Sequence, residues 1–281
     1  MFHYFGFTLL SLDILLFIWL FNMIKYSICL QTLIPVRINP SERAEMVTQV
    51  LFGELFTINE ITGNWAKITI LFDGYNGWID KKLVFEISEG FFNKLKKNET
   101  AISHKIISPI NNITQNKIIP LVAGSFLPFI NELGKFKIEN ETYHYKHKTS
   151  TYLPTGENIA RLAKQFENAP YLWGGRTILG IDCSGFTQIV YKIAGIALNR
   201  DASKQIEQGK PVSFIEETHS GDLAFFDNDE GQIIHVGIIL NKNKIIHASG
   251  WVRIDSIDHQ GIFNENSNKY SHKLRVIKRI I

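Results

Sequence analysis

Between about residues 32 and 86, apolar and polar residues alternate over short runs separated by tight turns. In NWAKITIL, Ala66, Ile68 and Ile70 fall on one face and Trp65, Lys67 and Thr69 on the other, the period of a half-buried strand. Gly63-Asn64, Asp73-Gly74 and Asn76-Gly77 supply turns at a spacing that predicts a small antiparallel barrel. The theme returns over about 100–148, in IIPLVAGSFLPF and KFKIENETYHYK, with Pro109, Pro120 and Pro128 confining it to short strands and edges. That stretch reads as a second, diverged barrel or as an irregular β-rich linker. The polar KHKTSTYLPTGE follows as an interdomain connection.

From about Thr155 the period changes. Ile159, Leu162, Ala163 and Phe166 share one helical face that ends at Pro170. Phe186, Ile189, Val190 and Ile193 share another, with Gly195 placed to cap it. Strand-like runs DLAFFD, IIHVGIIL, KIIHAS and KLRVIKRII come next, and NKNK predicts a hairpin between the two that carry histidine. The pattern predicts an α+β catalytic unit preceded by one or two small β-barrels. The expected divisions are 1–24, 25–88, 89–150 and 151–281.

Phe5 to Ile24 is almost wholly apolar and about as long as a bilayer span. Asp13 interrupts it, at a cost of roughly 2.5–3.5 kcal/mol on insertion scales. No basic residue precedes the run and no small-residue cleavage site follows it, so it makes a poor signal peptide. Ile28 before Cys29 is too large for lipoprotein processing. Two readings stand: a membrane anchor, with membrane contact through residues 5–24, or translation starting at Met23. Lys25, Arg37 and Arg43 beyond the run favour a cytoplasmic or inner-membrane-anchored protein, with an envelope-facing location as the alternative.

Composition narrows the chemistry. With 45% hydrophobic and 20% charged residues, extended disorder is not expected. A net charge of +3 gives no argument for nucleic acid. Two cysteines exclude a disulfide framework and zinc sites built on CxxC pairs. Cys183 stands where YLWGGRTILGID gives way to a helical pattern, and helix N-termini favour thiolates. A lowered thiol pKa is therefore expected at Cys183 and not at Cys29. His235 and His247 are candidates for the base and for the group that orients it, which together read as a cysteine hydrolase with no metal or cofactor. Bland alternatives stay open: a structural thiol, sheet histidines, a helix cap at Asp182, and packing roles for Tyr171 and Trp173.

The strings YLWGG, IDCSGF, GDLAFF, HVGI and IHAS resemble the NlpC/p60 cysteine peptidases of bacterial cell-wall metabolism, over roughly residues 154–281. The resemblance implies a papain-like fold with Cys183 as nucleophile, His235 as general base and His247 orienting it. It implies that the Tyr171 hydroxyl joins the Cys183 N–H in holding the oxyanion. Asp182 and Ser184 match residues that hold the γ-D-glutamyl and adjoining peptide groups, Trp173 walls the cleft, and Ser203 lies near a substrate-binding serine. VRINPSERAEMVTQVLFGE and WAKITILFDGYNGWID resemble bacterial SH3 domains. Together the parts resemble γ-D-glutamyl-L-diamino acid endopeptidases of peptidoglycan recycling. The implied partner is a peptidoglycan-derived peptide with a free N-terminal L-Ala, its amine met by Glu45 and Tyr75. An amidase or acyltransferase on the same core, or a wall-binding protein without activity, is the competing expectation.

Overall fold

A computed structural model describes residues 25–98, 100–149 and 152–281. The apolar run over 5–24 lies outside the described residues. Among those described, no helix is long and apolar enough to cross a membrane.

The N-terminal unit is an antiparallel sheet of β1 (Lys25–Ile28), β2 (Leu33–Arg37), β3 (Met46–Leu51), β4 (Leu55–Thr62), β5 (Trp65–Ile70) and β6 (Asn76–Asp80), in the order β1-β4-β5-β6-β2-β3. Its alternation is that of the sequence: Ala66, Ile68 and Ile70 are buried against Val36, Val50, Phe56 and Ile79. Gly77 lets β6 approach β2, since a Cβ there would sit 2.4 Å from Val36 Cγ1 and 2.9 Å from the Arg37 carbonyl oxygen.

Helix α1 (Glu89–Lys97) follows, its first turn capped by Ser88, whose Oγ accepts from the Phe91 N–H at 3.2 Å. The middle unit comprises β7 (Ala101–Ile102), β8 (Ile107–Asn112), β9 (Lys117–Val122), β10 (Phe126–Leu127), β11 (Lys135–Ile138) and β12 (Glu141–Tyr145). Four of these strands form a sheet in the order β11-β12-β8-β9, and β7 pairs with β10. Pro120 lies on the edge strand β9, opposite Pro109, which stands beyond the last β8 residue paired to β12. The barrel and the middle unit share one core: Ile28 and Phe52 pack with Ile110, Leu127, Phe136 and Tyr143.

The C-terminal unit contains α2 (Gly156–Lys164), β13 (Arg176–Thr177), β14 (Gly180–Ile181), α3 (Cys183–Ile193) and α4 (Ala202–Gln205). Seven strands follow: β15 (Lys210–Val212), β16 (Leu223–Asp227), β17 (Ile233–Asn241), β18 (Lys244–Ser249), β19 (Trp251–Ile257), β20 (Gly261–Asn264) and β21 (Lys269–Arg279). Their order is β15-β21-β16-β17-β18-β19-β20, and a further β20–β21 pairing closes the last six into a ring. Alternate residues serve two cores. Leu223, Phe225, Val236 and Ile238 meet Ile159, Phe166, Phe186 and Ile189 of the helical layer. Ala224, Phe226, Ile239, Ile245 and Ile262 pack together in a separate cluster. The predicted hairpin forms between β17 and β18, with Asn241 opposite Lys244 and Gly237 opposite His247.

Candidate active site

Asp182 begins the site. Its Oδ1 accepts from the Gly185 N–H at 2.7 Å and so caps α3, fixing Cys183 as the first helical residue. Its Oδ2 accepts from the Gly174 N–H at 2.8 Å, tying the Trp173-Gly174-Gly175 loop to the same carboxylate. Arg200 closes on both oxygens, at 3.0 and 2.5 Å, and its Nη1 also reaches Ser184 Oγ at 2.9 Å. The helix-cap reading of Asp182 is therefore realised: it is a buried cap and ion-pair partner that shapes the loop and the helix start. Ser184 is also buried and held by Arg200.

Cys183 is 7% exposed. Burial, then the Asp182 charge, pushes its thiol up to about 12, against the lowering effects of the Val236 N–H, Arg200 and the Ser184 N–H. The direction is opposite to the one expected from the helix terminus alone, because burial disfavours the charged sulfur. Cys29 is also buried and its thiol also raised, burial again the leading cause.

The sulfur lies beside the N–H of Val236, the neighbour of His235, and no sulfur–imidazole hydrogen bond is formed among the described residues. Behind His235 runs a chain of contacts. His235 Nε2 is 2.8 Å from His247 Nδ1, His247 Nε2 is 3.0 Å from Asp255 Oδ2, and Arg253 donates to Asp255 Oδ1 at 2.8 Å. Gly237, opposite His247, makes the room: a Cβ there would stand 2.9 Å from His247 Cβ. Asp255 is ionised, its pKa lowered by its bonds to His247 and Arg253 although burial opposes this. It therefore accepts from His247 Nε2–H, which leaves His247 Nδ1 to accept from His235 Nε2–H. His235 Nδ1 keeps a free lone pair. Burial, then His247 and His272, lowers the His235 pKa well below its ordinary value, so the ring is neutral and able to take a proton.

His272 stacks on His235 with centroids 4.2 Å apart and planes at 24°. His235, His247 and His272 bring one ring nitrogen each within 4.8 Å of the others, close enough to suggest a metal. The His235–His247 contact already holds a proton between two of these nitrogens, which keeps that pair from facing a metal together.

Tyr171 is half-buried. Its hydroxyl pKa is raised by burial first and then by the Cys183 and Asp182 charges, so the hydroxyl is electrostatically coupled to the thiol. Its backbone N–H donates to the Gly250 carbonyl at 2.9 Å. Trp173 is 61% exposed, so it is a rim residue and not core.

Glu45 and Tyr75 are among the barrel residues that reach this unit. Glu45 Oε1 accepts from Trp173 Nε1 at 2.5 Å, whereas the nearby Glu42 pairs with Arg37 at 3.6 Å. Tyr75 faces Asp201; burial and that carboxylate push its hydroxyl up to about 12. Tyr75, Asp73, Arg200 and Asp201 line a cavity of about 350 Å³ between barrel and catalytic unit. Ser203 is exposed on α4 and does not line it, while Asp201 and Lys204 on either side do.

Asp255, Arg200 and His272 were not singled out from sequence. Each lies in a segment with no motif of its own, and each matters through a neighbour brought in by sheet register or by the Asp182 cap.

A buried thiol at a helix start, a neutral imidazole aimed by a second imidazole and a carboxylate, and a tyrosine hydroxyl electrostatically coupled to the sulfur define a cysteine-type hydrolase site. Residues 168–270 match the NlpC/P60 family, and residues 36–82 match the bacterial dipeptidyl-peptidase Sh3 domain. The chain is 32% identical over 220 residues to the γ-D-glutamyl-L-lysine dipeptidyl-peptidase of Bacillus subtilis, covering 72% of this chain and 71% of that one. It is 27% identical over 255 residues to dipeptidyl-peptidase 6 of Lysinibacillus sphaericus, covering 79% and 88%. The crystal structure of an NlpC/P60 family protein from Bacillus cereus superposes with a TM-score of 0.77 at 20% identity, over 91% of this chain and 99% of that one, and shares the fold. The chain belongs to the NlpC/P60 family and is a cysteine-type peptidase carrying a bacterial SH3 domain.

Proposed function

We propose that the protein hydrolyses the γ-D-glutamyl–diamino acid bond of peptidoglycan stem peptides whose N-terminal L-Ala carries a free amine. The observation that carries this reading is the seating of barrel side chains on the catalytic unit: Glu45 on Trp173, and Tyr75 on Asp201. An acidic rim supplied by a separate domain suits an ammonium at the end of a short peptide. The names of the relatives from Bacillus subtilis and Lysinibacillus sphaericus, dipeptidyl-peptidases both, point the same way.

With the thiol pKa raised and the imidazole pKa lowered, proton transfer accompanies attack. His235 Nδ1 takes the Cys183 proton as sulfur bonds to the scissile carbonyl carbon, and the imidazolium is stabilised by His247 and, through it, Asp255. The carbonyl oxygen becomes an oxyanion met by the Cys183 N–H and the Tyr171 hydroxyl. His235 then returns the proton to the departing amine, and water, deprotonated by His235, releases the acyl group. A requirement for a free N-terminus would direct the enzyme to trimmed peptides, which fits a role in recycling at a cytoplasmic or inward-facing location.

The test is turnover of L-Ala-γ-D-Glu-L-Lys against its N-acetylated form. Release of L-Ala-γ-D-Glu from the free peptide, its strong reduction on acetylation, and its loss in Cys183→Ala are expected. Equal cleavage of both peptides removes the roles of Glu45 and Tyr75, and no cleavage of either rejects the substrate.

A further inference from the structure

Strand β16 ends at Asp227, between Ile233 of β17 and Lys273 of β21. The Asp227 side chain is 4% exposed. Its Oδ1 is buried with no hydrogen-bond partner, and its Oδ2 lies 3.7 Å from Arg275 Nε, beyond hydrogen-bond reach. An ionisable oxygen left unpaired inside a protein is costly unless a ligand or water meets it. Asp227 lines a cavity of about 390 Å³ shared with Ile234, Tyr270, Ser271, His272 and Lys273. One wall of that cavity, His272, is the ring stacked on His235.

We infer that this cavity is the subsite for the leaving diamino acid, with Asp227 as counter-ion to its side-chain ammonium. The inference rests on the peptidase reading above and extends it to the far side of the scissile bond. The nitrogen that departs must receive its proton from His235, so the residue attached to that nitrogen extends past the imidazole, and the cavity opens one ring beyond it. Ile234 and Tyr270, 54% and 43% exposed, offer an apolar wall for the methylenes of a long side chain. Lys273 supplies a cation for a carboxylate of the same residue. A buried carboxylate in the cavity wall, apolar neighbours and the Lys273 ammonium match a diamino acid better than a neutral one.

The experiment compares L-Ala-γ-D-Glu-L-Lys with L-Ala-γ-D-Glu-L-norleucine, which keeps the methylenes and lacks the ammonium. Wild-type kcat/KM is expected to favour lysine by roughly ten- to a hundredfold, the range for a hydrogen bond to a charged group. In Asp227→Asn the ratio of the two is expected to fall to near one. Arg275→Gln, at a mostly exposed position, removes a competing cation and is expected to raise the ratio. Equal wild-type rates overturn the subsite while leaving the peptidase reading in place, as does a ratio that neither variant changes. Failure to cleave either peptide overturns both.

Discussion

At the scale of single residues, the most informative side chain is Asp255, which touches neither sulfur nor substrate. Its contact with His247 fixes which nitrogen of each imidazole carries a proton. An asparagine there can present its amide N–H to His247 Nε2, forcing the proton to Nδ1 and setting it against His235 Nε2–H. His235 must then protonate at Nδ1 and can no longer accept from the thiol. Asp255→Asn is accordingly expected to lower kcat by roughly 10²- to 10⁴-fold, by analogy with tautomer loss in a serine-protease triad. Asp255→Glu should recover part of it, and an unchanged pH–rate profile in Asp255→Asn would remove the tautomer role. A second expectation concerns the thiol itself. With the Cys183 pKa raised to about 12, alkylation by iodoacetamide should be slow at neutral pH and climb as pH rises toward that value. A plateau already reached at pH 7 would show an ion pair at rest instead. The acid limb of kcat/KM should lie well below 6.5, because protonating His235 is opposed by burial.

At the scale of elements, the loop from Tyr171 to Asp182 decides whether the barrel and the nucleophile share one geometry. Gly174 adopts φ +75°, and a Cβ there would stand 2.3 Å from the Met46 carbonyl oxygen on β3. Gly174→Ala therefore combines left-handed strain with a backbone clash that no rotamer relieves. A loss of more than about 1 kcal/mol in urea stability is expected. Activity should fall further than stability explains, since the Gly174 N–H is also held by the capping carboxylate. Wild-type melting with wild-type turnover would show that the loop has slack. The periodicities that predicted α2, α3 and the β17–β18 hairpin are strong local signals, and so the elements carrying Cys183, His235 and His247 were legible. Asp255 and His272 were not. They act through pairing of β18 with β19 and closure of β21 against β20, and nothing in a single strand announces its register partner. The direction of the thiol pKa was not legible for a related reason: the helix start is local, but the desolvation that opposes it comes from residues distant in sequence.

At the scale of the whole molecule, three units are joined by buried charge. Glu54, at the end of the β3–β4 turn, is fully buried. It accepts from Arg176 at 2.9 Å through both oxygens and from Lys192 at 2.6 Å, both of them residues of the catalytic unit. Lys192 also lies over the rings of Phe72 of the barrel and Phe126 of the middle unit, at 4.6 and 3.9 Å. The Glu54 pKa falls to about 2: burial alone would raise it, and the two cations more than compensate. A folded-state pKa below the ordinary 4.5 means that the unfolded chain takes up a proton first as pH drops. The stabilisation is complete above about pH 4.5 and drains away toward pH 2. Glu54→Gln leaves buried Arg176 without its partner and removes the charge that keeps Lys192 protonated, whose pKa burial already lowers to about 8. It should cost about 3–5 kcal/mol at pH 7, the range for breaking a buried pair. The penalty should shrink as pH falls through that window, because the wild type then loses the same charge. Urea melts at pH 7 and pH 3 measure both effects. A penalty independent of pH would mean that Glu54 acts by shape and not by charge. Since the same glutamate ties the barrel to the helix that begins at Cys183, the variant should also raise KM for free-amine peptides more than it lowers kcat; the reverse split would place the barrel's influence on the chemistry instead of on substrate capture.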